Sequence, residues 1–319
     1  MNRVSVGPRI LETVGNTDMI ELGVPKGSAR ILMKLESQNP TGSMKDRMAL
    51  AMIEAAEKDG RLQPGGHVVE YTAGSTGVSL AMVCAAKGYD LSIVTSDAFS
   101  LEKRNHMAAF GARLTVLPSV DGRMDEALTR GMIQAAHDIR DRVDGYLTDQ
   151  LRNADQLPAY HRMGEEIWSQ TGGRIDAFVQ MTGTAASSRG VSEALHARDS
   201  SIFCVAVEPS ESAVLSGGPS GSHRIEGVGA GFVAPLWDPD AVDDVATVST
   251  EEAMETARRL AREEALCAGT STGGNLFTTR ALARELGPDA TVVTVMCDSG
   301  SKYLTTELYG QSSPEPADG

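Results

Sequence analysis

The lysine at position 45 lies in Asn39-Pro40-Thr41-Gly42-Ser43-Met44-Lys45-Asp46-Arg47, where a turn gives way to a helical pattern. Pro40 disfavours helical geometry at Asn39 and Gly42 permits a tight turn, while Ala49, Met52, Ile53 and Ala56 recur at helical spacing until Gly60 ends the run. The positive end of a helix dipole and burial both disfavour an ammonium there. The pattern therefore favours a neutral, nucleophilic amine suited to Schiff-base chemistry. A lysine taken alone is far more often a solvated surface residue, so its company decides.

That company is three stretches of small residues, each at a strand-to-helix transition. Gly183, Thr184, Ala185, Ala186 and Ser187 leave room for a phosphate to approach backbone N–H groups at a helix start, with two hydroxyls as further donors. Thr72, Ala73, Gly74, Ser75, Thr76 and Gly77 offer two threonine hydroxyls and the N–H groups of 73–77 to a carboxylate, and Gln150 adds an amide donor. Gly269-Thr270-Ser271-Thr272-Gly273 is the third. Ordinary tight turns and helix caps use the same residue types, so no stretch is decisive alone. Gly227 to Gly231 satisfies part of a dinucleotide fingerprint, but without the flanking strand, helix and acidic partner that a nicotinamide site requires.

The elements that must position these groups alternate. Strands are expected at 31–35, 67–71, 91–95, 114–117, 145–148, 175–181, 202–207 and 291–296, with a short segment at 19–22. Helices are expected after Lys45 and at 78–86, 101–110, 124–143, 155–170, 190–197 and 251–266, with another after the loop 269–273 and a last one near Tyr303. Residues 209–240 lack periodicity and are too long for a mere connector, and 311–319 reads as a disordered polar tail. Strands alternating with helices specify an α/β fold of twisted, mostly parallel sheets covered by helices, with ligands beyond the carboxyl ends of the strands.

At 319 residues the chain exceeds the usual size of one core, and two lobes are expected. Lys plus Arg total 29 against 43 Asp plus Glu, a net charge of −14, which excludes nucleic acid as a natural partner. No apolar run approaches a membrane span, and the first residues do not read as a signal peptide. Cys84, Cys204, Cys267 and Cys297 have no metal-ligand spacing and read as reduced thiols of a cytoplasmic protein with no metal site.

Taken in order, the motifs resemble the cysteine synthase and cystathionine β-synthase family of pyridoxal phosphate (PLP) enzymes of fold type II, like the tryptophan synthase β-subunit, from about Leu11 to Tyr309. The resemblance implies that Lys45 holds PLP covalently, that Ser75 lies beside the cofactor, that residues 183–187 cradle its phosphate, and that Ser271 meets its ring nitrogen. Thr72, Ala73, Gly74, Thr76 and Gln150, the last in a segment similar to the family's Asp-Gln motif, would bind the substrate carboxylate. Gly227 belongs to a segment, 226–232, similar to the family's glycine-rich active-site loop. The implied division is a larger phosphate-binding domain, 1–40 with 154–319, and a smaller mobile carboxylate-binding domain, 41–153, in a homodimer.

The implied reaction is β-replacement on an O-activated L-serine through a bound aminoacrylate: O-acetylserine and sulfide giving L-cysteine and acetate. Departures from the pattern keep alternatives open. Ser75 stands where the family has asparagine, Ala73 where it has serine, Ala185 and Ala186 where it has glycines, and Asp18 where proline is common. If 185 or 186 needs positive φ, alanine there costs about 1 kcal/mol or more. The alternatives are O-phosphoserine as donor, with Arg224 as a basic partner for the leaving group, homocysteine or a nitrogen nucleophile as acceptor, or a catalytically impaired homologue acting as a binding partner.

Overall fold

Two strands, β7 (Ala177–Met181) and β10 (Thr291–Met296), are buried at every position, or nearly so at Thr291, as continuous apolar runs covered on both faces must be. They form the centre of a six-stranded sheet. Beside them lie β2 (Arg30–Leu35) and β8 (Phe203–Pro209), then β1 (Met19–Leu22) and β9 (Asp244–Val248) at the edges, in the order β1-β2-β10-β7-β8-β9. Only β1 runs antiparallel, against β2. A second sheet, wholly parallel, has the order β5-β4-β3-β6, from β3 (His67–Tyr71), β4 (Asp90–Ser96), β5 (Arg113–Leu117) and β6 (Tyr146–Leu147). The computed structural model describes residues 9–122 and 126–310.

The helices are α1 (Lys45–Asp59), α2 (Ser75–Lys87), α3 (Leu101–Ala109), α4 (Glu126–Val143), α5 (Leu157–Thr171), α6 (Ala186–Arg198), α7 (Thr250–Glu264) and α8 (Thr270–Leu286). Gly60 and Gly88 close α1 and α2 in the left-handed conformation, and Ser249 with Glu252 makes a reciprocal cap on α7. One apolar core packs α1, α2, α5 and α6 against strands of both sheets. Another fills the space between the six-stranded sheet and α7 and α8.

Several boundaries differ from expectation. The loop expected at 269–273 is helical from Thr270 onward, and α2 and α6 begin at Ser75 and Ala186, several residues before the apolar stripe that marks them in sequence. The first turns of α2 and α8 are built of Ser, Thr and Gly, which have weak helix propensity, so packing sets them; in α6 the two serines after Ala186 hide the start. At Gly273 a Cβ would run into the backbone oxygen of Ala253, so glycine is what allows α8 to lie against α7. Strand β9 falls outside the expected strands; it is an edge strand with one buried residue, Val248. The element near Tyr303 is a single 3-10 turn, Gly300–Tyr303. The start of the helix expected from 124, and the tail 311–319, lie outside the described residues.

Candidate active site

Lys45 is the first residue of α1, and everything around it is tied down. Gly42, at φ +73°, donates its N–H to the Asn39 carbonyl at 2.7 Å, closing the turn the sequence suggested. The Met44 N–H donates to the Cys297 carbonyl at 2.9 Å, and the Lys45 N–H to the Ser43 hydroxyl at 3.2 Å. On the far side, Asp46 accepts from the Thr41 N–H at 2.7 Å and hydroxyl at 2.6 Å, while Arg47 forks onto Glu36 and Glu166. The backbone carrying the amine is thus immobilised from both directions. Burial holds the Lys45 ammonium below its ordinary pKa, outweighing the opposing pull of Asp298, and the Lys103 charge adds a smaller push in the same direction as burial.

Lys45 lines a cleft whose walls include Thr72, Ala73, Gly74, Ser75, Thr76, Gln150, Gly183, Thr184, Gly227 and Ser271. The structure therefore gathers residues spread over more than two hundred positions. Ala185, Ala186 and Ser187 are buried behind this surface at the start of α6 rather than in its lining. Of the N–H groups opening α6, that of Ala186 donates to the Thr184 hydroxyl at 3.4 Å, while those of Ser187 and Ser188 have no intrahelical acceptor and can serve a ligand. The Thr184 hydroxyl is bonded to Gln156, and the Ser187 hydroxyl accepts from Gln180 Nε2 at 2.9 Å and keeps its own proton to donate. Ala185 has φ +70°, the left-handed region, whereas Ala186 is helical; the strain foreseen for either alanine falls on Ala185 alone.

Gly183 passes so close to the 226–232 segment that a Cβ would strike the Gly227 carbonyl oxygen. That segment is itself anchored: the Glu226 N–H donates to Thr270 Oγ1 at 3.0 Å, at the head of α8. One residue on, Ser271 faces the cleft with its hydroxyl against the Cys297 thiol, which burial pushes up to about 11 and so keeps protonated.

The start of α2 has the form of a carboxylate grip. Gly74 adopts φ +138°, and the N–H groups of Ser75, Thr76 and Gly77 open the helix without intrahelical acceptors. Thr72 Oγ1 accepts from the Gly74 N–H at 3.0 Å. The Thr76 hydroxyl donates to Gln150 Oε1 at 2.8 Å, and Gln150 Nε2 donates to the Tyr71 carbonyl at 2.6 Å, leaving one amide hydrogen for the cleft. Buried Glu70 fixes this glutamine from behind, accepting from its backbone N–H at 3.1 Å and from Thr148 Oγ1 at 2.6 Å.

Sequence reading missed four groups in the same cleft. Lys103 Nζ pairs with Glu226 at 2.7 Å and donates to the Tyr303 hydroxyl at 3.1 Å. Tyr303 donates to Asp298 Oδ2 at 2.8 Å, and the Ser75 hydroxyl donates to the same oxygen at 3.2 Å. No local motif announces Lys103; its one signal is a lysine three residues after the helix-capping Ser100. Arg224, foreseen as a leaving-group partner, instead pairs with Glu307 at 2.9 Å at an exposed position outside the cleft lining.

The pocket fits the expected cofactor. It combines a desolvated lysine amine, a helix start whose second and third N–H groups have no intrahelical acceptor beside a glycine no larger residue could replace, and the neutral Ser271 hydroxyl in the lining. Comparison with known proteins agrees. A cysteine synthase from Staphylococcus aureus is 40% identical over 305 residues, covering 94% of this chain and 96% of that protein. Among solved structures, the cysteine synthase of Entamoeba histolytica superposes with a TM-score of 0.89 at 34% identity, covering 97% of this chain and 92% of that one. An O-ureido-L-serine synthase gives the same TM-score at 33% identity, covering 97% and 96%. The family model described as pyridoxal-phosphate dependent enzyme matches residues 10–298, and the chain belongs to that family.

Proposed function

We propose that the protein catalyses β-replacement on an O-activated L-serine, with O-acetylserine and sulfide giving L-cysteine and acetate. The observation that carries this reading is the placement of a desolvated Lys45 amine and the N-terminal grip of α2 on one cleft. The likeness to cysteine synthases supports it.

In this reading Lys45 holds PLP, the start of α6 with Gly183, Thr184, Ala185, Ala186 and Ser187 binds its phosphate, and Ser271 faces its ring nitrogen. The cofactor supplies an electron sink that acidifies the Cα hydrogen of the bound amino acid. Thr72, Gly74, Thr76 and Gln150 orient the substrate carboxylate, Ala73 contributing only its backbone N–H, and Ser75 and Gly227 line the space beside the reacting carbons. The Lys45 amine, once free, would take the Cα proton as acetate leaves from Cβ with the C–O electron pair, and would return that proton to Cα when the nucleophile adds to Cβ. Ser271, a hydroxyl rather than a carboxylate, would offer the ring nitrogen no anionic partner, a setting suited to elimination.

The two sheets support a division into a larger domain, 1–40 with 154–319, and a smaller domain, 41–153, that closes on the carboxylate and excludes water. A homodimer and a cytoplasmic location complete the proposal. Free thiols at all four cysteines favour a reducing compartment, and among the described residues no helix is long and apolar enough to cross a membrane.

A second reading, with another donor or nucleophile, gains support from the charged pair Lys103–Glu226 in the cleft, which sulfide alone does not need. The test is product analysis: PLP-loaded protein given O-acetylserine and sulfide yields L-cysteine and acetate in equal amounts. A protein that binds PLP yet releases acetate without cysteine, or neither product, contradicts the first reading.

A further inference from the structure

Lys103 and Glu226 come from opposite sides of the cleft, 123 positions apart, and meet at 2.7 Å. Lys103 is 2% exposed. Its stem lies directly on the carboxylate-gripping loop: a Cβ at Gly74 would collide with Lys103 Cδ, so the glycine at φ +138° is what lets the lysine cross there. Its ammonium sits 4.2 Å from the centre of the Tyr303 ring and bonds that hydroxyl. Glu226 immediately precedes Gly227, which also lines the cleft. The Lys103 charge is close enough to bear on the Lys45 amine. A net charge at this place would therefore be felt where the second substrate attacks, in surroundings too dry to screen it.

Resting on the reading above, we propose that the Lys103–Glu226 pair determines specificity for the second substrate: its two charges cancel, so that it adds no net charge to a cleft that already holds the Asp298 carboxylate, and so it sets the preference among anionic, neutral and cationic nucleophiles. Glu226 alone would repel an anion beside an already anionic substrate carboxylate. Lys103 alone would attract anions and repel cations. Joined, they present a dipole to the cleft and admit either class, and the Tyr303 hydroxyl holds the lysine in that geometry. The pair acts on the charge of what enters, not on the proton transferred at Cα.

The test compares PLP-loaded parent, Glu226→Gln, Lys103→Gln and the double variant, with O-acetylserine as donor and thiosulfate (anionic) or cysteamine (cationic) as nucleophile. Glu226→Gln raises the thiosulfate-to-cysteamine ratio of kcat/KM by about tenfold and Lys103→Gln lowers it by about tenfold, from one uncompensated charge in a site of low dielectric. The double variant returns the ratio to within about threefold of the parent. Loss of a merely structural contact would depress both nucleophiles together and leave the ratio in place, which overturns the proposal. Calorimetric titration with thiosulfate alone gives a readout free of turnover, with tighter binding to Glu226→Gln and weaker to Lys103→Gln. If the parent turns over no donor, the β-replacement reading fails while this titration still decides the pair; equal affinities in all four proteins overturn the inference itself.

Discussion

Ser75 and Asp298 are 223 positions apart in sequence, and the Ser75 hydroxyl donates to Asp298 Oδ2 at 3.2 Å. The bond joins the first residue of α2 to the turn after β10, across the mouth of the cleft. Because Tyr303 donates to the same oxygen, the serine that stands in the family's asparagine position belongs to a shared anchor and does not reach freely toward substrate.

Removing that hydroxyl should loosen the anchor. Ser75→Ala is expected to cost about 1–2 kcal/mol, the low end for a hydrogen bond to a charged group because Tyr303 remains, and to raise KM for the amino-acid substrate about fivefold or more. Ser75→Thr, which keeps the hydroxyl, should recover most of the loss. Steady-state kinetics and thermal melts read both effects, and an unchanged KM in Ser75→Ala would show that the bond does not hold the cleft.

The network behind Lys45 predicts an acid-sensitive scaffold. Arg47 bonds Glu36 at 2.6 Å and Glu166 at 2.7 Å, and Lys34, fully buried, pairs with Glu166 at 2.8 Å. Arg47→Met strands the buried Glu36 carboxylate without a cation and leaves Glu166 with Lys34 alone, and should cost about 3–5 kcal/mol; lysine, lacking the planar fork, should not rescue it. Burial works against the Glu166 charge, but Arg47 and Lys34 outweigh it and hold this carboxyl down to about 2, from 4.5. Its contribution is complete above pH 4.5 and disappears as pH falls toward 2, and amounts to about 3 kcal/mol at most. Glu166→Gln should therefore be less stable at pH 7, with the gap closing in acid. Denaturant melts across that range check it, and a constant gap would refute the assignment.

The two alanines at the start of α6 should behave differently although they are neighbours. Both are buried and both pay the entropy of a glycine substitution, but only Ala185 is strained, at φ +70°. Ala186→Gly is expected to be less stable than Ala185→Gly by about 1 kcal/mol. Equal melting temperatures for the two variants would mean that the positive φ carries no cost.

Much of this was legible in the sequence because glycine and proline mark backbone geometry directly. Gly42 and Gly60 both take the left-handed conformations that their positions implied, and the alternating strands gave parallel sheets with one antiparallel edge. Where helices begin was harder to read. The first turns of α2 and α8 are made of Ser, Thr and Gly, which propensity assigns to loops, and tertiary packing overrides it, as Gly273 against Ala253 illustrates. The Lys103–Glu226–Tyr303–Asp298 chain was invisible for a different reason. Only Glu226 lies in a motif, and there the glycines carry the signal; only folding brings a lysine from α3 over Gly74 to that glutamate in a long irregular loop.

The central claim is that Lys45, and no other lysine, carries the cofactor. The direct measurement is borohydride reduction of the PLP-loaded protein followed by peptide mass mapping. The account predicts stoichiometric pyridoxyl label on the peptide containing Lys45 and no label in Lys45→Ala. Label on the other buried lysines near the cleft, Lys103 or Lys302, or an unlabelled parent protein, would contradict it.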